Sequence, residues 1–277
     1  MGELMNRVVA TVSYLTKGSG KPIYSPTGAG RDAKFEVDRA LIEYPVEVED
    51  ARLQADKVGQ KYGLDKGDTV LLKHQTQVFN FFDAQQLKHV YEAELTSLLL
   101  STTVANRVHC FDHTVRASDP LTREQQQSRE PSTLVHNDYT ANSGLKCLHE
   151  NLPHEAEALS KKRFQIINLW RPLVDPVESF PLAFCDSSSI AEVDLVDTER
   201  RSSSHIGELS LVTYNPAHRW YYFPNMHPGE VLLFKTYDSF AAGRHGCGVH
   251  TAIDINNHAG TKKPRESIET RAFLFFD

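Results

Sequence analysis

Residues 208–238 read ELSLVTYNPAHRWYYFPNMHPGEVLLFKTYD, three runs rich in β-branched and aromatic residues, cut by Asn215-Pro216 and Pro228-Gly229. Runs of this length bounded by turn-forming dipeptides read as strands. Working outward, FQIINLWRPL (164–173), VHTAID (249–254) and SIETRAFLFFD (267–277) have the same character. The intervals between them are too short to hold the helices that a doubly wound sheet requires. The pattern therefore predicts a mainly β chain with flanking helices, built as a barrel or a double-sheet jelly roll.

Upstream, Asp83 with Gln86 three residues on forms a capping signal, and Leu87, Tyr91, Leu95 and Leu98 recur at helical spacing. This predicts one helix whose apolar stripe lies on the outside of a sheet. The polar segment between Asp186-Ser187-Ser188-Ser189 and Arg201-Ser202-Ser203-Ser204 is long enough to be a functional loop, either a lid or a solvated excursion. With no repeat or low-complexity tract, residues 1–277 are read as a single domain.

Charge narrows the function classes. The 277 residues carry 36 acidic and 30 basic side chains, a formal charge of -6 with no Lys/Arg block, so nucleic acid is not an expected partner. No run approaches the roughly 18 apolar residues of a membrane span, and the N-terminus has neither signal-peptide order nor, with Asn6, a myristoylation pattern. A cytoplasmic protein is expected. Cys110, Cys147, Cys185 and Cys247 show no Cys-x-x-Cys spacing, which argues for reduced thiols rather than a zinc ribbon or a redox pair.

The chemistry-bearing pattern is LVHNDYT (134–140). In a strand, His136 and Asp138 project from one face, with Asn137 turned away. One further histidine would complete a two-histidine, one-carboxylate set, whose open positions suit Fe(II) in oxygenases. His-x-Asp alone is a common pair, so metal binding at this point is one reading among several. The third ligand must come from a later strand beside the first. His250 is favoured because it opens VHTAID directly before a hairpin back to the C-terminal strand; His245 in GRHGCGVH is its competitor. Downstream, Arg265 and Ser267 lie two apart, and a guanidinium with a hydroxyl on one strand face is the equipment for the distal carboxylate of 2-oxoglutarate. Arg271 lies on the same alternating face and could serve instead. Pairing of either arginine with Glu266, Glu269 or Asp277 is the structural alternative.

With these residues in view, FDHTVR (111–116), VHNDYT (135–140), INLWRPL (167–173), PLAFCDSSSI (181–190), HRWYYFPNMHPGEVLLFKTYDS (218–239), VHTAID and PRESIETRAF (264–273) closely resemble the asaB-type hydroxylase/desaturase family. That family includes fungal gibberellin desaturase-like proteins and relatives of the cephamycin methoxylation component. The resemblance runs from about residue 60 to the C-terminus. It implies a double-stranded β-helix (jelly-roll, cupin-like) core and an oxygenase of secondary metabolism that uses Fe(II), 2-oxoglutarate and dioxygen on a small-molecule substrate. His136, Asp138 and His250 fall on its iron-ligand positions, Arg265 with Ser267 on its 2-oxoglutarate segment, Arg271 in the same block, and Asn168 with Trp170 on a strand that could line the cosubstrate pocket. The resemblance leaves monomer or homodimer open. Asp138 argues against halogenation, since related halogenases leave that carboxylate position empty.

Three further readings complete the set. His109 and His113 fit a strand with a structural role better than a second metal site. Trp220, Tyr221, Tyr222 and Phe223 form either a pocket wall or plain core. The competing functions are a cupin-like metalloenzyme with a different metal, and a non-catalytic jelly-roll binding protein.

Overall fold

The strand-forming runs pair into two sheets that face each other. The structure is a computed structural model, and it describes residues 7–54, 64, 69–202, 205–241, 248–255 and 262–277. In chain order the strands are β1 (Arg7–Leu15), β2 (Ile23–Pro26), β3 (Phe35–Val37), β4 (Leu41–Asp50), β5 (Thr69–Lys73), β6 (Arg107–Ala117), β7 (His136–Asn137) and β8 (Phe164–Pro172). They continue with β9 (Leu182–Cys185), β10 (Leu195–Arg201), β11 (Ile206–Val212), β12 (Trp220–Tyr222), β13 (Glu230–Asp238), β14 (His250–Ala252), β15 (Asp254–Ile255) and β16 (Glu266–Phe275). The larger sheet has 11 strands in the order β15-β1-β4-β12-β9-β14-β7-β11-β10-β2-β3, and the smaller has five in the order β5-β13-β8-β16-β6. This is the expected mainly β, jelly-roll architecture.

Alternation explains how the smaller sheet is covered on both sides. On β8 and β16, Ile167, Leu169, Ile268, Ala272 and Leu274 face outward and pack with Tyr91, Leu95 and Leu99 of the one long helix. That helix, α1, runs through Ala84–Gln86, a π-helical turn at Leu87–Tyr91, and Glu92–Thr102. Asp83 caps it by accepting from the backbone N–H groups of Gln85 and Gln86, as its sequence predicts. Leu99 rather than Leu98 is the residue fully buried, because the wide turn rotates the stripe. The opposite face of the sheet turns inward. There Trp170, Leu232 and Phe234 meet Leu182, Phe184 and Tyr221 of the larger sheet.

Two expectations are corrected. The polar segment after Asp186 is no open lid: short 3-10 turns at Ser187–Ser189 and Glu192–Asp194 lead into β10, which pairs with β11 on one side and β2 on the other. Its polarity misled because one face of β10 borders a polar cavity. VHTAID does not form a hairpin with the C-terminal strand either: β14 lies in the larger sheet, whereas β16 pairs with β8 and β6 in the smaller. The chain crosses between layers there, which brings the 136–138 segment over the inner face of β16.

Candidate metal centre

The two sheet histidines meet because their strands pair. His250 on β14 stands directly opposite His136 on β7, so their side chains leave the sheet as cross-strand neighbours. Their ring centres are 4.4 Å apart. Asp138 joins them, and one ligand atom from each of the three lies within 4.8 Å of the others. Strand β7 ends at Asn137, so alternation alone does not aim Asp138. Its direction is fixed instead by Asn168 Nδ2, which donates to Asp138 Oδ2 at 2.7 Å, and by Arg271 Nε, which donates to the same oxygen at 3.0 Å. Asn137 does turn away, donating through Nδ2 to the carbonyls of Tyr139 and Thr236.

Tautomer follows from the backbone. His136 Nδ1 lies 2.7 Å from the Leu134 carbonyl and His250 Nδ1 lies 2.7 Å from the Gly248 carbonyl. A carbonyl can only accept, so both Nδ1 atoms carry a proton, and in each ring Nε2 is the nitrogen left to face a metal. Gly248 is required at its position, since a Cβ there would meet the Lys235 carbonyl oxygen at 2.5 Å. Burial, with His136 adding repulsion against the opposing pull of Asp138, pushes the His250 pKa down to about 3 and keeps it neutral. Burial would raise the Asp138 pKa, but Arg271, His136 and His250 outweigh it and hold the carboxyl well below its usual range. Two imidazoles and a carboxylate are a hard-to-borderline donor set suited to a divalent first-row metal.

The two candidate anchor arginines have opposite surroundings. Arg271 Nε is on Asp138, and its terminal nitrogens are on Asp112 and Glu269. Its donors are taken by protein carboxylates, which corrects the reading of Arg271 as an alternative cosubstrate anchor. Arg265 is 1% exposed. Its Nε donates to Ser267 Oγ at 3.1 Å and its Nη1 to the Phe180 carbonyl at 2.6 Å; Nη2 has no acceptor, and no carboxylate pairs with it, among the described residues. Burial, with Arg116 adding repulsion, pushes its pKa down to about 9. The guanidinium stacks on Trp170, 5.0 Å from the ring centre, and the Trp170 Nε1–H is itself buried without a partner among the described residues. A buried cation and an orphaned donor side by side both call for an anion. Asn168, expected in the cosubstrate pocket, instead orients Asp138, with its Oδ1 accepting from Thr236.

Comparison with known proteins decides the family. The model of the "Oxidoreductase/YMDC permease-like domain" family matches residues 12–275. The hydroxylase/desaturase efuI of Hormonema carpetanum is 33% identical over 257 residues, spanning 84% of each chain. The chain belongs to the asaB-type hydroxylase/desaturase family. Among other family relatives, the Fe(II)/2-oxoglutarate-dependent dioxygenase nvfI of Aspergillus novofumigatus is 29% identical over 202 residues, 70% of this chain and 69% of that one. A solved structure of the iron and alpha-ketoglutarate-dependent endoperoxidase NvfI superposes with a TM-score of 0.84 at 23% identity, covering 97% of this chain and 98% of that one, which shows the shared fold. Despite the permease in the family's description, no described helix of this member is long and apolar enough to cross a membrane.

Beside the histidines, this hydroxylase/desaturase family member has a cavity of ≈ 380 Å³ that His136, Asp138 and Arg271 help to line. Its far wall carries Arg116, Arg129 and Arg200, which sequence reasoning passed over: they come from β6, the segment after it and β10, with no local motif to join them. Asp112, the Arg271 partner, was likewise read only as part of FDHTVR. His113 bonds Thr270 and Glu92 on the helix side of the sheet, whereas a bulge in β6 turns His109 toward Phe273 on the other face. The bulge thus puts the two histidines on opposite faces of the strand. His245, the competitor of His250, lies outside the described residues, as does Cys247. Tyr221 belongs to the inter-sheet core, while Trp220 and Tyr222 pack on the opposite face of the larger sheet.

Proposed function

We propose that the chain is an iron(II)- and 2-oxoglutarate-dependent oxygenase, a single domain over 1–277, acting on a C–H bond of a small-molecule secondary metabolite. The observation that carries this reading is Arg265, a buried cation that has no carboxylate partner among the described residues and lies beside an indole N–H likewise unpaired among them. The names of its relatives, hydroxylase/desaturase and Fe(II)/2-oxoglutarate-dependent dioxygenase, support it. His136, Asp138 and His250 are the residues that would hold the metal; the Nδ1 bonds to backbone carbonyls fix both rings, and His136 Nε2 lies 3.5 Å from Asp138 Oδ1. Asp138 supplies the negative charge, and Asn168 with Arg271 keeps its carboxylate aimed.

Arg265, Ser267 and Trp170 would bind the far carboxylate of 2-oxoglutarate, through the free Nη2, the hydroxyl and the indole N–H. Iron(II), 2-oxoglutarate and dioxygen together supply the oxidising power, the cosubstrate leaving as succinate and carbon dioxide. Phe184 and Phe234 stand against His250, with Phe234 4.8 Å from it between ring centres, and exclude water from that side of the centre. The product class is hydroxylated, desaturated or ring-closed. A cytoplasmic location fits the free thiols of Cys110, Cys147 and Cys185.

The test is succinate release. Full-length protein with iron(II), 2-oxoglutarate and air should form succinate, and Asp138→Ala should reduce it at least about a hundredfold as metal retention is lost. Undiminished succinate from Asp138→Ala would remove that residue from the ligand set. No succinate from iron-loaded wild type, with turnover supported by zinc or manganese instead, would favour the cupin-like alternative.

A further inference from the structure

The cavity beside the histidines carries its charge unevenly: its five carboxylates and five cations balance formally, but the positive charge gathers on one wall. Five carboxylates line it, and four are already held: Asp112 and Asp138 by Arg271, Glu208 by Lys21, and Glu150 by Lys146. Glu130 remains, against the three guanidiniums of Arg116, Arg129 and Arg200, none of which has a carboxylate within ion-pair range among the described residues. Arg116 gives Nη1 to the Glu130 backbone carbonyl at 2.8 Å. Arg116 and Arg129 are paired across a β-bridge, and Arg200 stands opposite Tyr24, whose ring also faces the cavity. His205, which also lines the cavity, turns to Glu150 at 3.9 Å. Burial and the repulsion of Arg116 and Arg200 lower the Arg129 pKa, against the opposing pulls of Tyr24 and Glu130. The surplus is two positive charges in a half-buried wall.

We propose that Arg116, Arg129 and Arg200 bind a carboxylate of the organic substrate, so that the substrate is a small organic acid held by its charged end while its C–H bond lies toward His136 and Asp138. Like-charged guanidiniums cost stability when crowded without counterions, and a bound anion removes that cost. The fork of each guanidinium matches a carboxylate edge, and Tyr24 adds a hydroxyl donor. The cavity is continuous from these arginines to the metal-ligand pair, so one small molecule can touch both. The inference rests on the oxygenase reading only in naming the bound acid a substrate. The cosubstrate is assigned elsewhere, to Arg265 and Ser267. Arg116 sits opposite Ser267 across β6 and β16, so Arg129 and Arg200 are the cleaner positions to alter.

The experiment uses the full chain loaded with iron(II) and saturating 2-oxoglutarate without oxygen. Octanoate, phenylacetate and naphthoate are each compared with their methyl esters by ligand-observed NMR and by thermal shift. The acids should bind at least about tenfold more tightly than the esters, and Arg129→Gln or Arg200→Gln should weaken acid binding by about tenfold or more. Ester binding and the visible charge-transfer band of the 2-oxoglutarate complex should not change. Neither exchange should lower the melting temperature, because each relieves repulsion; a merely structural arginine would lower it. Equal binding of acids and esters, or acid binding that survives the double exchange, overturns the proposal. Loss of 2-oxoglutarate affinity in these variants overturns it too, by placing the arginines at the cosubstrate. An absent band with an arginine-dependent preference for acids would leave the anion site standing and sink the oxygenase reading. A present band with no such preference would do the reverse.

Discussion

Arg265 and Arg271 project from the same face of the same segment, six positions apart, and both are buried, yet they have opposite company. Arg271 is ringed by Asp112, Asp138 and Glu269, which raise its pKa well above the usual value against the effect of burial. Arg265 has a hydroxyl, a backbone carbonyl and an aromatic face. A buried ion pair holds a structure in one arrangement, whereas a buried ion without its counterion marks where something is meant to bind. On the proposed function the first arginine belongs to the architecture of the centre, and the second to its cosubstrate.

The comparison makes opposite predictions for the same substitution. Arg271→Gln leaves Asp138 and Glu269, both mostly buried, without their cation, and should cost about 3 kcal/mol of stability, at the low end for breaking a buried pair because Asp112 is partly open to solvent. Arg265→Gln removes a cation that has no carboxylate partner among the described residues, and should leave the ligand-free protein within about 1 kcal/mol of wild type. Thermal or urea unfolding of the two variants side by side checks this; equal losses would dissolve the distinction.

A smaller effect calibrates burial away from the centre. His218 is enclosed beside Asp194 and Tyr14, and burial lowers its pKa while Asp194 opposes the shift. A depressed folded pKa means that the unfolded chain takes up the proton first as pH falls. The stability present above about pH 6.5 is then lost as pH drops toward the folded value, with a slope below about 1.4 kcal/mol per pH unit. His218→Gln should flatten that part of the curve of melting temperature against pH. An unchanged slope would assign it to other groups.

The sequence carried the strand-rich second half because β8, β13 and β16 are buried on both faces and read as apolar runs. His136 and Asp138 were legible from spacing, although the bend after β7 and its hydrogen bonds, rather than strand alternation, aim the carboxylate. The choice of anchor was not legible. It depends on Asp112 and Asp138, which reach Arg271 from other segments, and on the absence of any such group at Arg265 among the described residues. Nor could β10 be read, because Glu199, Arg200 and Arg201 look like a solvated loop until β2 and β11 pair with them. The arginine wall is wholly tertiary.

The central claim is that Arg265 awaits the far carboxylate of 2-oxoglutarate at a metal held by His136, Asp138 and His250. The most direct measurement is an anaerobic titration of 2-oxoglutarate into the iron(II)-loaded protein, following the metal-to-ligand charge-transfer band. Wild type should develop the band. Arg265→Gln should need at least about tenfold more 2-oxoglutarate to reach it, the cost of a lost charge-assisted hydrogen bond. A featureless spectrum in iron-loaded wild type, or an unchanged titration in Arg265→Gln, would contradict the account.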